Sequence, residues 1–287
     1  MTGPALGRLP IMRIDARGLT FEVRAGGPAD GEPVLLLHGF PQHSGEWDEV
    51  TPALHAAGLR TYALDQRGYS PDARPAEVEA YRIPELVADA AAVLDALGVA
   101  AAHVVGHDWG AIVAWGLAAA HPDRVRTLTA VSVPHPAAMA HALATDARQK
   151  ARSSYMALFR RPGTAERVLL AFRAAALRRL LGDVGDVARV ARYADPMRAP
   201  GALTAALNWY RAMAGRDLAA VGPVPVPTTY VWSDRDSAVG RAAAGACAAH
   251  VTGDYRMVTL AGVSHWIPDA APGPLAEAIL ARAATAR

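Results

Sequence analysis

Short apolar runs alternate with helical periodicity through the first half of the chain. Residues 34–37 are four apolar positions in a row, closed by His38-Gly39, the pattern of a strand buried on both faces. Residues 59–65 and 102–106 read the same way. Between them, Leu86, Val87, Ala90, Val93, Leu94 and Leu97 recur at helical spacing over residues 83–97, and Gly98 stops the pattern. Strands alternating with helices predict a mainly parallel sheet flanked by helices, an α/β fold.

The rhythm changes after the apolar run 128–133, which Pro134, His135 and Pro136 end. Residues 137–220 read as helix after helix with no clear buried strand. The strand pattern returns at 226–232, behind Pro223, Pro225 and Pro227, and again at 255–260. This predicts a core domain in two parts, 1–136 and 221–287, with a helical cap, 137–220, inserted between them over the sheet's carboxyl edge.

Composition narrows the class. With 287 residues, 52% hydrophobic and 20% charged, the chain has material for one large core and lies far from the disordered regime. A net charge of +2 with scattered arginines gives no nucleic-acid footprint. Arg173, Arg178 and Arg179 alternate with Ala and Leu and read as the wet face of a surface helix. Cys247 is the only cysteine, so an internal disulfide is excluded, and a buried structural thiol is expected. The stretch Met1 to Pro10 lacks a long apolar segment, and no run is long enough to span a bilayer. A cytoplasmic location without membrane insertion is expected, and a homodimer is left open.

The chemistry concentrates in Val104-Val105-Gly106-His107-Asp108-Trp109-Gly110-Ala111, with a helical pattern over 112–120 behind it. A strand running into Gly-x-Asp-x-Gly and then a helix has the form of a nucleophile elbow, whose glycines allow a tight turn that lifts one side chain above the sheet. Here that side chain is a carboxylate. By itself the pentapeptide is equally an ordinary turn with Asp108 as a helix N-cap. Chain order favours the first reading: such sites run nucleophile, acid, histidine. The strand at 226–232 ends in Ser233-Asp234-Arg235-Asp236, and the strand at 255–260 ends in Gly262-Val263-Ser264-His265-Trp266. Asp234 and Asp236 are two apart, so strand alternation does not choose between them. His38-Gly39-Phe40-Pro41 follows the strand that supplies half of an oxyanion hole, which would make the Phe40 and Trp109 amides its donors.

These segments resemble the epoxide hydrolases of the α/β-hydrolase superfamily. The likeness covers 33–47, Asp65-Gln66-Arg67-Gly68-Tyr69-Ser70, Gly106 to Gly110 and Gly262 to Trp266. It extends to Tyr155-Met156-Ala157-Leu158-Phe159-Arg160-Arg161-Pro162-Gly163 and Asn208-Trp209-Tyr210-Arg211 in the helical stretch. The resemblance implies an α/β-hydrolase fold with a cap and a small-molecule epoxide as substrate. It implies Asp108 as nucleophile, Asp236 as the acid, His265 as the base, and Tyr155 and Tyr210 as phenols that bind the epoxide oxygen. Without it, either tyrosine reads as an amphipathic core residue. Two positions depart from the family: Arg160 stands where Gln is common, and Ser264 precedes the histidine in place of Gly.

An aspartate is ionised at neutral pH and can attack an epoxide carbon directly, while phenols with pKa near 10 can donate to the leaving alkoxide. The expected product is a vicinal diol, formed through an ester on Asp108 without metal or organic cofactor. A haloalkane dehalogenase shares the Asp-Trp pair but stabilises halide with N–H donors, so the two tyrosines favour the epoxide. Another electrophile, attacked without a serine, is the broader alternative. Ser132 and Ser264 lack the context of a nucleophile, and His103 and His107 do not share a helix face as zinc ligands would.

Overall fold

The computed structural model describes residues 9–286, so most of the Met1 to Pro10 stretch lies outside the described residues. Eight strands build one sheet: β1 (Ile11–Ala16), β2 (Leu19–Gly26), β3 (Glu32–Leu37), β4 (Leu59–Asp65), β5 (Ala102–His107), β6 (Val125–Val131), β7 (Thr228–Ser233) and β8 (Tyr255–Leu260). Their order across the sheet is β1-β2-β4-β3-β5-β6-β7-β8. The β1–β2 and β2–β4 pairs are antiparallel, and every pair from β4 to β8 is parallel. The chain moves outward from β3 to β4 and then returns to place β5 on the other side of β3. That reversal opens a crevice at the strands' carboxyl ends, where ligands of open α/β sheets bind.

Helices α1 (Thr51–Ala56), α2 (Ile83–Ala96) and α3 (Trp109–Ala120) connect the first strands. Seven more lie between β6 and β7: α4 (Pro136–Thr145), α5 (Ala147–Arg152), α6 (Met156–Phe159), α7 (Thr164–Leu180), α8 (Val187–Ala194), α9 (Ala202–Ala212) and α10 (Gly215–Ala219). The chain closes with α11 (Arg241–Gly245), α12 (Ile267–Ala270) and α13 (Pro272–Ala283). No described helix is long and apolar enough to cross a membrane.

Alternation inside the apolar strands sorts side chains into two layers. Leu35, Leu37 and Val104 join the cluster that includes α2, α3 and the helices after β6, whereas Val34, Leu36 and Val105 join the one under α1 and α13. Strands buried on both faces need no polar side, which is why their sequences are continuous apolar runs.

The structure differs from the sequence reading at several element ends. β1 and β2 form an edge hairpin whose buried residues, such as Phe21, Val23 and Ala25, alternate with polar ones and make no apolar run. Helix α3 begins at Trp109, three residues before its apolar periodicity, because the elbow leads directly into it. β6 begins at Val125, since exposed Arg126 interrupts the apolar run without ending the pairing, and Ser132 at φ 64° turns the chain out. β7 begins at Thr228, behind Pro227, which has no N–H to donate. The Arg173 stretch is no continuous helix: Phe172, Arg173 and Ala174 take left-handed backbone, and Arg178 pairs with Asp195.

Candidate active site

The site is assembled where β3 and β5 part. Asp108 follows β5 with φ 52° and ψ −117°, a backbone conformation that side-chain-bearing residues rarely adopt. Neighbours enforce the turn. A Cβ on Gly106 would lie 2.1 Å from the Gly110 carbonyl oxygen, and one on Gly110 would lie 2.0 Å from that of Leu37. Only glycine fits either place. The Asp108 amide donates to Val131 (3.2 Å), tying the turn to β6.

The Asp108 side chain is held between two partners. Its Oδ1 accepts from the Phe40 amide at 2.9 Å, and its Oδ2 lies 3.4 Å from His265 Nε2. Burial opposes its charge, but the hydrogen bond and charge of His265 hold the carboxyl below its ordinary range. Trp109 opens α3, so its N–H is among the amides that lack an intrahelical acceptor.

His265 lies in the loop after β8, and its Nδ1 meets Asp236 Oδ2 at 2.9 Å. Asp236 Oδ1 accepts from the amides of Ala238 (2.7 Å) and Val239 (2.8 Å), so this buried carboxylate is fully engaged. Asp234 is exposed and accepts from the Gly262 amide instead, at 2.7 Å. Alternation put both aspartates on one face; the turn after β7 separates them. Burial of the His265 ring opposes its protonation, yet the carboxylates of Asp236 and Asp108 outweigh it and push the pKa up to about 10.

Tyr155, just before α6, and Tyr210, in α9, come from the helical segment after β6. Together with Asp108 they line both of two adjoining cavities. One, about 50 Å³, is walled by apolar side chains such as Ile112, Met139 and Met213. The other, about 200 Å³, is bounded by Phe40, Phe159, Leu180, His265 and Trp266, and Arg152 and Ser237 add polar groups to it. The Tyr210 ring is packed by Phe40, Trp109 and Phe159 at 5.3, 5.1 and 5.0 Å, and the two tyrosine rings meet edge-on at 6.3 Å. Burial raises both phenol pKa values, and the Asp108 charge adds to the effect. Each phenol therefore holds its proton firmly while remaining a hydrogen-bond donor.

Arg160, where the family resemblance breaks, donates to the Tyr210 carbonyl at 3.1 Å and fastens α6 to α9. Ser264 donates to the Asp183 carbonyl (3.3 Å), away from the reacting groups. Among the described residues, no group of three or more His, Cys, Asp or Glu is placed to hold a metal ion.

Sequence reasoning missed the polar groups that brace this arrangement. Glu46 contacts His107, and His107 and Ser132 both meet the His265 carbonyl. Asp269 accepts from Tyr193 in α8 (2.9 Å) and from Gln42 behind β3 (2.5 Å), which joins the helical segment to the core. No local motif marks these residues, because their partners lie up to 227 positions away. Only His107 had a signal, its place inside the elbow.

The chain belongs to the α/β-hydrolase family: residues 32–272 match the family of proteins with the alpha/beta hydrolase fold. Within that family it is a hydrolase of the epoxide hydrolase branch. It is 31% identical to Epoxide hydrolase A of Mycobacterium tuberculosis over 306 residues, covering 93% of this chain and 95% of that protein. It is 34% identical to the AB hydrolase superfamily protein YfhM of Bacillus subtilis over 273 residues, covering 93% and 95%. The crystal structure of Epoxide Hydrolase A from Mycobacterium thermoresistibile superposes with a TM-score of 0.83 at 27% identity, covering 95% of this chain and 97% of that one. An epoxide hydrolase from Bacillus megaterium, solved as a mutant complexed with its product (R)-3-[1]naphthyloxy-propane-1,2-diol, gives 0.85 at 25% identity, covering 95% and 100%.

Proposed function

We propose that this protein hydrolyses small-molecule epoxides to vicinal diols through a covalent ester on Asp108, beneath a cap formed by residues 137–220. The observation that carries the reading is one junction: an ionised carboxylate, 3.4 Å from a histidine, lines the same two cavities as two protonated phenols. Attacker and leaving-group acid thus face one small space. The Bacillus megaterium relative with a bound vicinal diol supports the reaction class.

In the first step an Asp108 oxygen bonds to an epoxide carbon, and the C–O bond of the ring breaks. The alkoxide takes a proton from Tyr155 or Tyr210. His265, protonated while both carboxylates flank it, gives up the proton that restores the phenol. Esterification favours this release, since it removes the Asp108 charge that had stabilised the imidazolium. The covalent step therefore converts His265 into a base.

In the second step neutral His265 takes a proton from water, and the hydroxide bonds to the Asp108 carboxyl carbon. The Phe40 amide, already on Asp108 Oδ1, and the Trp109 amide stabilise the oxyanion. Collapse expels the diol oxygen as alkoxide, which takes the proton of the hydroxyl that water left on the Asp108 carboxyl carbon. Asp108 returns as carboxylate and His265 as imidazolium, so protons balance over the cycle. Asp236 orients the ring and favours the imidazolium that forms. The two phenols argue against a haloalkane substrate, whose halide would need N–H donors.

The test is His265→Phe with styrene oxide. The variant should gain the mass of one epoxide on the peptide containing Asp108. Wild-type enzyme, in a single turnover in ¹⁸O-water, should carry label in the Asp108 carboxylate. If Asp108 merely activates water, neither adduct nor labelled protein forms, and that outcome ends the covalent reading.

A further inference from the structure

Two buried ionisable groups beneath the nucleophile take no part in the steps above. Glu46, in the turn after β3, is 1% exposed, and its Oε2 lies 3.2 Å from His107 Nδ1. His107, the last residue of β5, is fully buried and has its Nε2 3.0 Å from the His265 carbonyl oxygen. A carbonyl only accepts, so His107 Nε2 carries a proton. Two states satisfy that requirement: a neutral imidazole with bare Nδ1 facing a carboxylic acid, or an imidazolium facing a carboxylate.

The surroundings select the neutral state. Glu46 Oε1 has no hydrogen-bond partner among the described residues, and an unpartnered carboxylate oxygen in a dry interior is far costlier than an unpartnered acid carbonyl. Burial is the largest influence on Glu46 and opposes its charge, and the carboxyl groups of Asp269 and Asp108 add to it; the Gly39 backbone favours the charged form by less than burial opposes it. A cation on His107 would face the His265 ring, 5.1 Å away. Burial pushes the Glu46 carboxyl well above its ordinary range and the His107 imidazole down to about 4.

We infer that protonated Glu46 and neutral His107 form an uncharged chain, acid O–H to Nδ1 and Nε2–H to the His265 carbonyl, that positions His265 for hydrolysis of the ester. Ser132 Oγ donates to the same carbonyl at 2.8 Å, so two donors fix the His265 peptide while Asp236 fixes its ring. Fixing both leaves Nε2 aimed at Asp108. An uncharged brace does this without raising the nucleophile's pKa, as a second carboxylate there would. Glu46 and His107 are positioning residues: neither lines the cavities that hold the reacting groups.

The inference rests on the covalent reading, and two measurements keep the two apart. In Glu46→Leu, which removes the donor at similar size, ester hydrolysis should slow about 10–100-fold, the scale of a small misplacement. Alkylation, which needs no general base, should stay near the wild-type rate, so the ester accumulates in a denaturing quench. Glu46→Gln keeps an N–H donor for Nδ1 and should restore hydrolysis. Nitrogen NMR of ¹⁵N-histidine-labelled wild-type protein should show His107 neutral and protonated on Nε2 alone.

A doubly protonated His107, or an unchanged ratio of the two steps in Glu46→Leu, overturns the inference. If Glu46→Leu does not fold, Glu46→Gln still decides: loss of hydrolysis with the amide in place would mean that a charge is required. Absence of any adduct in wild-type enzyme would sink the covalent reading instead, and the NMR result would stand independently of it.

Discussion

The two halves of the candidate site are built by opposite means. On the sheet, Asp108, Asp236 and His265 each occupy the first turns after a parallel strand, so the backbone sets their positions and short hydrogen bonds lock them there. Under the helices, Tyr155 and Tyr210 depend on packing: on Phe159, on Phe40, and on the Arg160 tie between α6 and α9. A strand end places an atom through bonded geometry, whereas a helix does so through contacts that can slide. The half that holds the proposed nucleophile and base uses the rigid device. The half that carries the two phenols uses the adjustable one.

The largest effect expected from separating the halves is on epoxide opening. Tyr155→Phe and Tyr210→Phe should each slow alkylation, and the double substitution should slow it by about 10²–10⁴-fold, the range for losing general acid catalysis. Each change removes one hydroxyl and leaves the ring packing in place, so thermal stability should hold. Single-turnover alkylation is the measurement. A wild-type rate in the double variant would return the phenols to a packing role and favour a substrate whose leaving group needs no proton.

The same division explains what was legible in the sequence. The elbow was readable because Gly106 and Gly110 sit where backbone oxygens leave no room for a side chain, so local sequence carries a long-range constraint. Asp234 and Asp236 could not be ranked from spacing, because the answer lies in the amides of Ala238 and Val239, which turn one carboxylate inward. The tyrosines are ordinary amphipathic residues in isolation, and only family resemblance marked them. Glu46 and Asp269 were invisible: their meaning comes from partners across the fold. The edge hairpin β1–β2 escaped for a different reason, since a half-exposed strand mixes polar and apolar positions without a run.

A second effect tests the rigid half alone. If His265 is held up to about 10 by Asp236 and Asp108 together, removing one carboxylate should lower its pKa. Asp108→Asn imitates the uncharged ester, and the His265 pKa should fall by about one to three units, measured by histidine NMR titration. In wild-type kinetics, ester hydrolysis should lose about tenfold per pH unit below the ester-state pKa, because the base must be neutral. Alkylation should persist to lower pH, since the Asp108 pKa is depressed. Identical pH dependence for the two steps would mean that one histidine state serves both.

The smallest effect concerns the joint between the halves and should leave the chemistry nearly untouched. Asp269, on α12, accepts from Tyr193 of the helical segment, and Arg189 donates to its carbonyl at 2.8 Å. Burial raises its pKa from 3.8 to about 7, even though Tyr193, Arg189 and Arg192 favour its charged form. A carboxyl with a raised folded-state pKa binds its proton more tightly folded than unfolded. Its contribution is therefore fully present below about pH 4 and is lost as pH rises to about 7. Three pKa units set an upper bound of about 4 kcal/mol on that loss. Asp269→Asn keeps the size and cannot ionise. In urea unfolding, wild-type protein should thus lose stability relative to the variant between about pH 4 and pH 7, with turnover changed only a few-fold in either. Parallel stability curves would show that Asp269 is ionised in the folded protein throughout, its charge met by Arg189 and Arg192. The joint would then be an ordinary ion-pair contact, and the helical segment would be held to the core as tightly at neutral pH as in acid.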